Sequence, residues 1–226
     1  MLFESRGSLY LEKFMKIQII GNGAFGSFLK ELLAPHCEIA EDAETVILAV
    51  PASAYEECGK IGRKMNKHLV NVCSVQKPTT DTLLRFTNRV TSIHPLFGRR
   101  TPADKRNSIL THTFTSVTND VWFDDQTEND FLEIFRKVST VWRTGAGALG
   151  DSSEVRFTPE SHDILMAKTH ASAVMAAKQL KVFTDRVANV PDELIPNSFR
   201  LMRQFVQTLD DMPTGTIESI MANPYI

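Results

Sequence analysis

The chain has 226 residues, 42% of them hydrophobic, with 25 basic and 27 acidic side chains and a net charge of -2. That length fits one large domain or two small ones, and the composition fits a buried core. Balanced charge predicts neither a nucleic-acid nor a membrane partner, and no apolar run approaches the ~20 residues that span a bilayer.

Residues 1–14 read as an N-terminal arm, either disordered or added by an upstream start codon. Leu9-Tyr10-Leu11 is too short for a signal segment, and Glu4 and Glu12 interrupt the stretch. A strand is predicted at 16–20, then a helix over 24–34 with Phe25, Phe28, Leu29, Leu32 and Leu33 at helical spacing. A short strand near 37–40, a strand at 45–50, a helix at 53–66, a strand at 69–73, a helix at 78–87 and a strand at 90–93 follow. This alternation predicts a parallel sheet with right-handed crossovers. A strand over 109–117, a helix over 127–139 and a strand at 140–143 come next. The run Gly145-Ala146-Gly147-Ala148-Leu149-Gly150 lacks a strong strand and helix around it and reads as a hinge or linker.

Beyond residue 150 the strand signal disappears. Thr158 reads as a helix N-cap with Pro159 at the first helical position, and the helix extends to about Val190. Helices at 197–210 and 214–222 complete the chain. The expected fold class is α/β, a Rossmann-like, mostly parallel sheet with an all-α C-terminal domain. The expected division is an arm at 1–14, a dinucleotide-binding domain at 15–150 and a helical domain at 151–226. Helix faces bearing Val174, Phe183, Phe199 and Leu209 exceed what so small a segment buries alone, which predicts a homodimer through residues 151–226. Cys37, Cys58 and Cys73 have neither zinc nor disulfide spacing, so a reduced, cytoplasmic protein is expected.

The turn Gly21-Asn22-Gly23-Ala24-Phe25-Gly26 stands between a predicted strand and a predicted helix, the context a dinucleotide fingerprint requires. Gly21 permits the tight turn, Gly23 lets the backbone approach a pyrophosphate, and Gly26 lets helix and strand pack closely. The helix N-terminus adds free N–H donors. The expected cofactor is NAD or NADP. An acid for the ribose is sought ~20 residues on, where Glu38, Glu41 and Asp42 lie, and Glu41 is the candidate. The adenosine side is short, and residues 27–45 hold no arginine for a 2′-phosphate, which favours NAD.

Three further strand ends point the same way: Pro51, Ser74 and His94 each follow an apolar run, and ligands of open α/β sheets bind beyond the carboxyl ends of strands. Pro95 holds His94 in extended geometry, and an imidazole there suits a general base.

Asn71-Val72-Cys73-Ser74-Val75-Gln76-Lys77 followed by Ile93-His94-Pro95-Leu96-Phe97-Gly98 resembles the prephenate/arogenate dehydrogenase family, which typically shows Ser-Val-Lys after its fourth strand and His-Pro-Met-Phe-Gly after its fifth. Glu160-Ser161-His162-Asp163 with Met166-Ala167 resembles the segment opening the family's helical domain. The resemblance implies oxidative decarboxylation of a cyclohexadienyl acid, a step of tyrosine biosynthesis. His94 would take the hydroxyl proton, Ser74 would hydrogen-bond the hydroxyl or the imidazole, and a nicotinamide cofactor would accept hydride. It also implies pairing of two chains through the helical domain.

The chain departs from that pattern at several points. Gln76 stands where the family has lysine, with Lys77 one place late, and Val174 stands where many relatives have histidine. His170, four residues earlier, is a substrate-binding candidate. The carboxylate-binding arginine aligns with Gln207, so Arg203, one helical turn away, is the candidate substitute, with Arg99 and Arg100 also open to an acidic substrate. His162, Asp163 and His170 match no zinc spacing, and no metal is expected. Two other functions stay open: a related reductase of another small acid or imine, and a non-catalytic nucleotide-sensing protein.

Overall fold

The computed structural model describes residues 15–114, 117–118, 121–122, 126–146 and 154–226. The expected arm at 1–14, the glycines at 147 and 150 and the division at residue 150 lie outside the described residues.

Strands β1 (Lys16–Ile20), β2 (Glu38–Ile39), β3 (Thr45–Leu48), β4 (His68–Asn71), β5 (Val90–Pro95) and β6 (Asn107–His112) form the sheet, flanked by a small separate pair, β7 (Val117–Thr118) with β8 (Val121–Trp122), and completed by β9 (Thr140–Trp142). The sheet order is β2-β1-β3-β4-β5-β6-β9. Within this seven-stranded sheet every pairing is parallel except β5 with β6. The fold is therefore Rossmann-like and mostly parallel. The chain leaves β1 towards β2 on one side and β3 on the other, which opens the ligand crevice of such sheets at the carboxyl end of β1.

Period-two alternation places the core on both faces of the sheet. Ile17, Ile19, Ile47, Val70 and Ile93 pack with Phe28, Leu29 and Leu33 of α1 (Ala24–Leu33) and with Phe131 and Phe135 of α4 (Gln126–Arg136). Val46, Leu48, Leu69 and Val90 pack on the opposite face with Tyr55 and Cys58 of α2 (Tyr55–Met65) and Leu83 of α3 (Lys77–Leu84). Phe131 and Phe135 are fully buried, so truncating either to alanine costs about 3–5 kcal/mol.

The β5–β6 register slips between Ser92, opposite His112, and Ile93, opposite Leu110. Thr111 is the extra residue, a bulge of the kind that re-aims neighbouring side chains.

The strand signal does not end at residue 150. Strands β10 (Thr144–Ala146) and β11 (Glu154–Arg156) pair antiparallel, so Gly145 belongs to a strand rather than a hinge. A Cβ on Gly145 would lie 2.5 Å from the Phe157 ring, and packing of that ring explains the glycine. Helix α5 (Pro159–Met166) starts as expected: Thr158 Oγ1 accepts from the Ser161 N–H at 3.1 Å, and Ser161 Oγ accepts from the Thr158 N–H at 2.9 Å. The single long helix expected from 158 is interrupted by a π-helical segment at Ala167–Ala171, then resumes as α6 (Ser172–Asp185). Helices α7 (Asn197–Asp210) and α8 (Thr214–Met221) follow, and Ala171, Val174, Ala177, Leu209 and Ile220 form a core between them. Val174 is 3% exposed in that core.

Candidate active site

The glycine turn is built as its spacing requires. Gly21 has φ +121°, and a Cβ there would lie 2.1 Å from the Ala49 carbonyl oxygen. A Cβ on Gly26 would lie 2.2 Å from the Gly21 carbonyl oxygen. The fold itself demands both glycines. Gly23 is different: its φ of −70° suits any residue, and a Cβ there would meet nothing within 4 Å. Its bareness leaves open space over the first turn of α1. That helix has no side-chain cap and no acidic residue in its first turn, so its N–H groups stay available to an anion. Asn22 Oδ1 accepts from Lys30 Nζ at 3.0 Å, Ala24 is exposed and Phe25 packs against the core. A cradle of this shape and polarity fits the pyrophosphate of a dinucleotide. Ile20 pairs with Leu48, which brings exposed Pro51, just beyond β3, to the same edge of the sheet.

Glu41 is not placed there. Strand β2 has two residues, paired with Lys16 and Ile17, and the following turn folds back towards the amino end of β1. Asp42, beside exposed Glu41, holds Lys16 Nζ at 2.8 Å. The length of β1 separates Lys16 from the glycine turn by roughly 16 Å at ~3.3 Å per residue. The brevity of β2 overturns the expectation of a ribose acid at this position.

Ser74 and His94 share the carboxyl edge, since Asn71 and Ser92 form the last paired rung of β4 and β5. Asn71 fixes the loop that carries Ser74. Its Oδ1 accepts from Tyr55 Oη at 2.8 Å and from the Cys73 N–H at 2.9 Å, and its Nδ2 donates to Thr79 Oγ1 at 2.9 Å. Gln76 is fully buried; its amide donates to the Cys73 carbonyl and its Oε1 accepts from Thr111 Oγ1 at 3.1 Å. A lysine at 76 would bury a charge among these groups. Lys77 turns outward and pairs with Asp81. Ser74 is half-buried and its hydroxyl makes no hydrogen bond among the described residues.

His94 is 3% exposed and its Nδ1 lies 2.8 Å from His162 Nε2. His162 Nδ1 lies 2.8 Å from Asp163 Oδ1. Asp163 in turn accepts the N–H of Gln76 on Oδ1 and of Lys77 on Oδ2, each at 2.8 Å, and so caps the N-terminus of α3 from another helix. Asn223 Nδ2 donates to the Asp163 carbonyl at 2.8 Å. The direction of donation follows. A carboxylate only accepts, so a neutral His162 carries its proton on Nδ1 and offers Nε2 as acceptor. His94 must then donate from Nδ1, which leaves its Nε2 a bare lone pair. That nitrogen has no partner among the described residues, yet it is not sealed: Arg203 Nε is the one fully enclosed side-chain polar atom without a partner among them. Burial, and the neighbouring His162 and His170, hold the His94 pKa well below the ordinary histidine range. The ring is neutral near pH 7 and able to accept a proton.

His162 and Asp163 are absent from the sequence-derived site. Their segment is singled out only by its family-like pattern and by a capped helix start, and neither feature shows what the helix docks against. His170 is half-buried on the π-helical segment, and its pKa too is lowered by burial and by His162. It belongs to the same cluster as His94.

The arginines are engaged elsewhere. Arg203 donates to Asp192 Oδ1 at 2.6 Å, the Val187 carbonyl at 2.8 Å and the Val190 carbonyl at 3.3 Å. It ties α7 to the end of α6, and those bonds remove it from the substrate-binding role expected of it. Arg99 pairs with Glu31 at 2.9 Å, and Arg100 pairs with Asp211, to which Gln207 Nε2 also donates at 3.0 Å. Among the described residues, no three His, Cys, Asp or Glu side chains gather as a metal-binding group, and no helix is long and apolar enough to cross a membrane.

No family sequence model matches the chain, and no curated protein matches it. Solved structures do. A candidate prephenate dehydrogenase from Corynebacterium glutamicum matches 94% of this chain and 74% of its own, with 15% identity and a TM-score of 0.63. Prephenate dehydrogenase from A. aeolicus, in complex with hydroxyphenyl propionate and NAD+, matches 92% of this chain and 82% of its own, with 14% identity and a TM-score of 0.54. The chain thus has the fold of these dehydrogenases, a Rossmann-like sheet followed by helices.

Proposed function

We propose that this chain is an NAD(P)-dependent oxidoreductase of the prephenate-dehydrogenase type, acting on a small cyclic acid whose ring bears a hydroxyl. The observation that carries the reading is the bare Nε2 of His94, buried, neutral and oriented through His162 by Asp163. His94 Nε2 takes the hydroxyl proton of the substrate, and His162 and Asp163 hold the ring in the accepting tautomer. Ser74, with an uncommitted hydroxyl, hydrogen-bonds the same substrate oxygen. His170 lines the crevice beside it. The backbone of Gly21–Gly26 and the N-terminus of α1 hold the cofactor, and Pro51 borders it. The nicotinamide, when bound, accepts the hydride from the carbinol carbon. In a cyclohexadienyl substrate, loss of carbon dioxide then makes the ring aromatic. NAD is proposed over NADP because residues 27–45 hold no arginine for a 2′-phosphate.

Turnover with prephenate or arogenate, followed by reduction of NAD+ or NADP+, tests the reading directly. Reduction that requires both the acid and His94 is the expected result. The engagement of Arg99, Arg100 and Arg203 in ion pairs favours a second reading, in which another small acid or an imine is the substrate or the chain only senses the nucleotide. Cofactor binding with no turnover on either acid would support that alternative.

We further propose a homodimer through the helices. Val182, Phe183 and Leu201 are 54%, 52% and 57% exposed, more apolar surface than isolated helices usually leave to water. Light scattering at micromolar concentration should give twice the chain mass, and a monomeric mass would overturn the pairing.

A further inference from the structure

A cavity of about 210 Å³ is lined by Leu110, Thr111, His112, Thr113, Arg143, Thr144 and Arg156. Strand β6 runs antiparallel to β5, so His112 stands opposite Ser92 while Ile109 stands opposite His94. The cavity therefore opens towards the amino end of β5. Strands β10 and β11 bring Thr144 opposite Arg156, and the Phe157 N–H donates to the Arg143 carbonyl at 3.0 Å.

Arg143 and Arg156 both line this space, and no ion pair between described side chains engages either. Arg156 reaches only Thr113 Oγ1, at 3.4 Å. Burial lowers the Arg143 pKa, with repulsion from Arg136 and Arg156 outweighing part of the attraction from Glu128. Burial and Arg156 likewise lower the pKa of His112, against a small opposing effect of Asp81. Arg143 and Arg156, with Thr113 and Thr144, thus border a concave wall whose surface is otherwise mostly apolar. Guanidinium groups match carboxylate and phosphate geometry. At roughly 30 Å³ per water molecule the cavity holds only a small ligand, well below the 300–1,000 Å³ of drug-sized pockets.

We propose that this cavity binds a small, multiply charged oxyanion, a single phosphoryl group or a short dicarboxylate, through Arg143 and Arg156, with the hydroxyls of Thr113 and Thr144 and His112 completing its hydrogen bonds. The site does not rest on the function proposed for the His94 crevice.

Titration calorimetry of the full chain with inorganic phosphate and with malonate tests the site. Saturable one-to-one binding of either ion is expected, weakening as salt rises because these guanidiniums are partly exposed. Whichever ion binds more tightly names the headgroup. The double variant Arg143→Gln, Arg156→Gln should weaken binding at least tenfold with an unchanged circular dichroism spectrum, and the Arg143→Lys, Arg156→Lys pair should recover part of it. Absence of saturable heat with both ions would overturn the proposal. So would binding undiminished in the double glutamine variant, which would put the ion elsewhere, such as the glycine turn.

Discussion

Two buried histidines sit in the same sheet, and they differ in one respect. His68 opens β4 at the amino end of the sheet; His94 lies near the carboxyl end of β5. Both are almost wholly enclosed, and burial lowers both pKa values, that of His68 to about 3. Both sit in chains ending in a carboxylate: His68 Nε2 lies 2.9 Å from Thr91 Oγ1, which donates to buried Glu128, and His94 reaches Asp163 through His162. Yet both nitrogens of His68 are occupied, the second by Thr45 Oγ1 at 3.1 Å. His94 keeps one free. Burial and a lowered pKa are common to both; an uncommitted nitrogen at the carboxyl edge of the sheet is what sets His94 apart.

Substitution can break that contrast. His94→Asn should cut turnover by ~10²–10⁴ while leaving cofactor affinity nearly intact. Near-normal turnover would erase the distinction between the two histidines. Asp163→Asn keeps the shape but leaves an amide facing backbone N–H groups or the imidazole. Turnover should fall by roughly ten- to a hundredfold, a fraction of what a positioned base supplies, with the KM for cofactor unchanged; equal kinetics in variant and parent would show that His94 needs no orienting partner.

Gly23→Val sharpens the contrast from the cofactor side. The site has room for the valine, so the protein should fold with an unchanged melting temperature and lose at least tenfold in NAD affinity by calorimetry. Unaltered affinity would show that the open space over α1 is not where the dinucleotide lies.

The smallest catalytic effect belongs to His68. His68→Gln should leave turnover within about twofold and cost about 1–3 kcal/mol of stability by urea unfolding, from lost buried hydrogen bonds. The pH dependence has a defined sign. The folded pKa is about 3 against 6.5 for a free histidine, so from pH 6.5 down to 3 the unfolded chain takes up a proton that the folded one refuses. Stability therefore falls with pH across that window by up to about 1.4 kcal/mol per unit, and His68 contributes no pH dependence above it. In the glutamine variant this acid limb should become shallower, and His94 should keep its own share. An identical limb in both proteins would count against the shift at His68.

The sheet and the glycine turn were legible because their causes are local. Alternating apolar residues declare a strand face, and the tight turn at Gly21 demands a positive φ within four residues of a helix start. The chain from His94 through His162 to Asp163 was not legible, because 68 positions separate His94 from His162 and only the docking of α5 against α3 joins them. Arg203 misled for a related reason: helical spacing put it one turn from Gln207, but the loop at 186–192 offered it carbonyls and an aspartate nearer at hand. Glu41 misled because its distance along the chain was right while β2 stops after two residues. Strand β11 was invisible because three residues show no periodicity.

The bonds that orient His94 are also those that fasten the helices to the sheet. His162 to His94, and Asp163 to Gln76 and Lys77, all cross from α5 to the sheet and its loops. Swinging the helices outward would break those bonds and free His94 to adopt either tautomer. A molecule wired this way gains little from wide jaw-like breathing. Under the proposed function, substrate entry and product escape are then tasks for the rim of the crevice, and an opened protein would be an idle one.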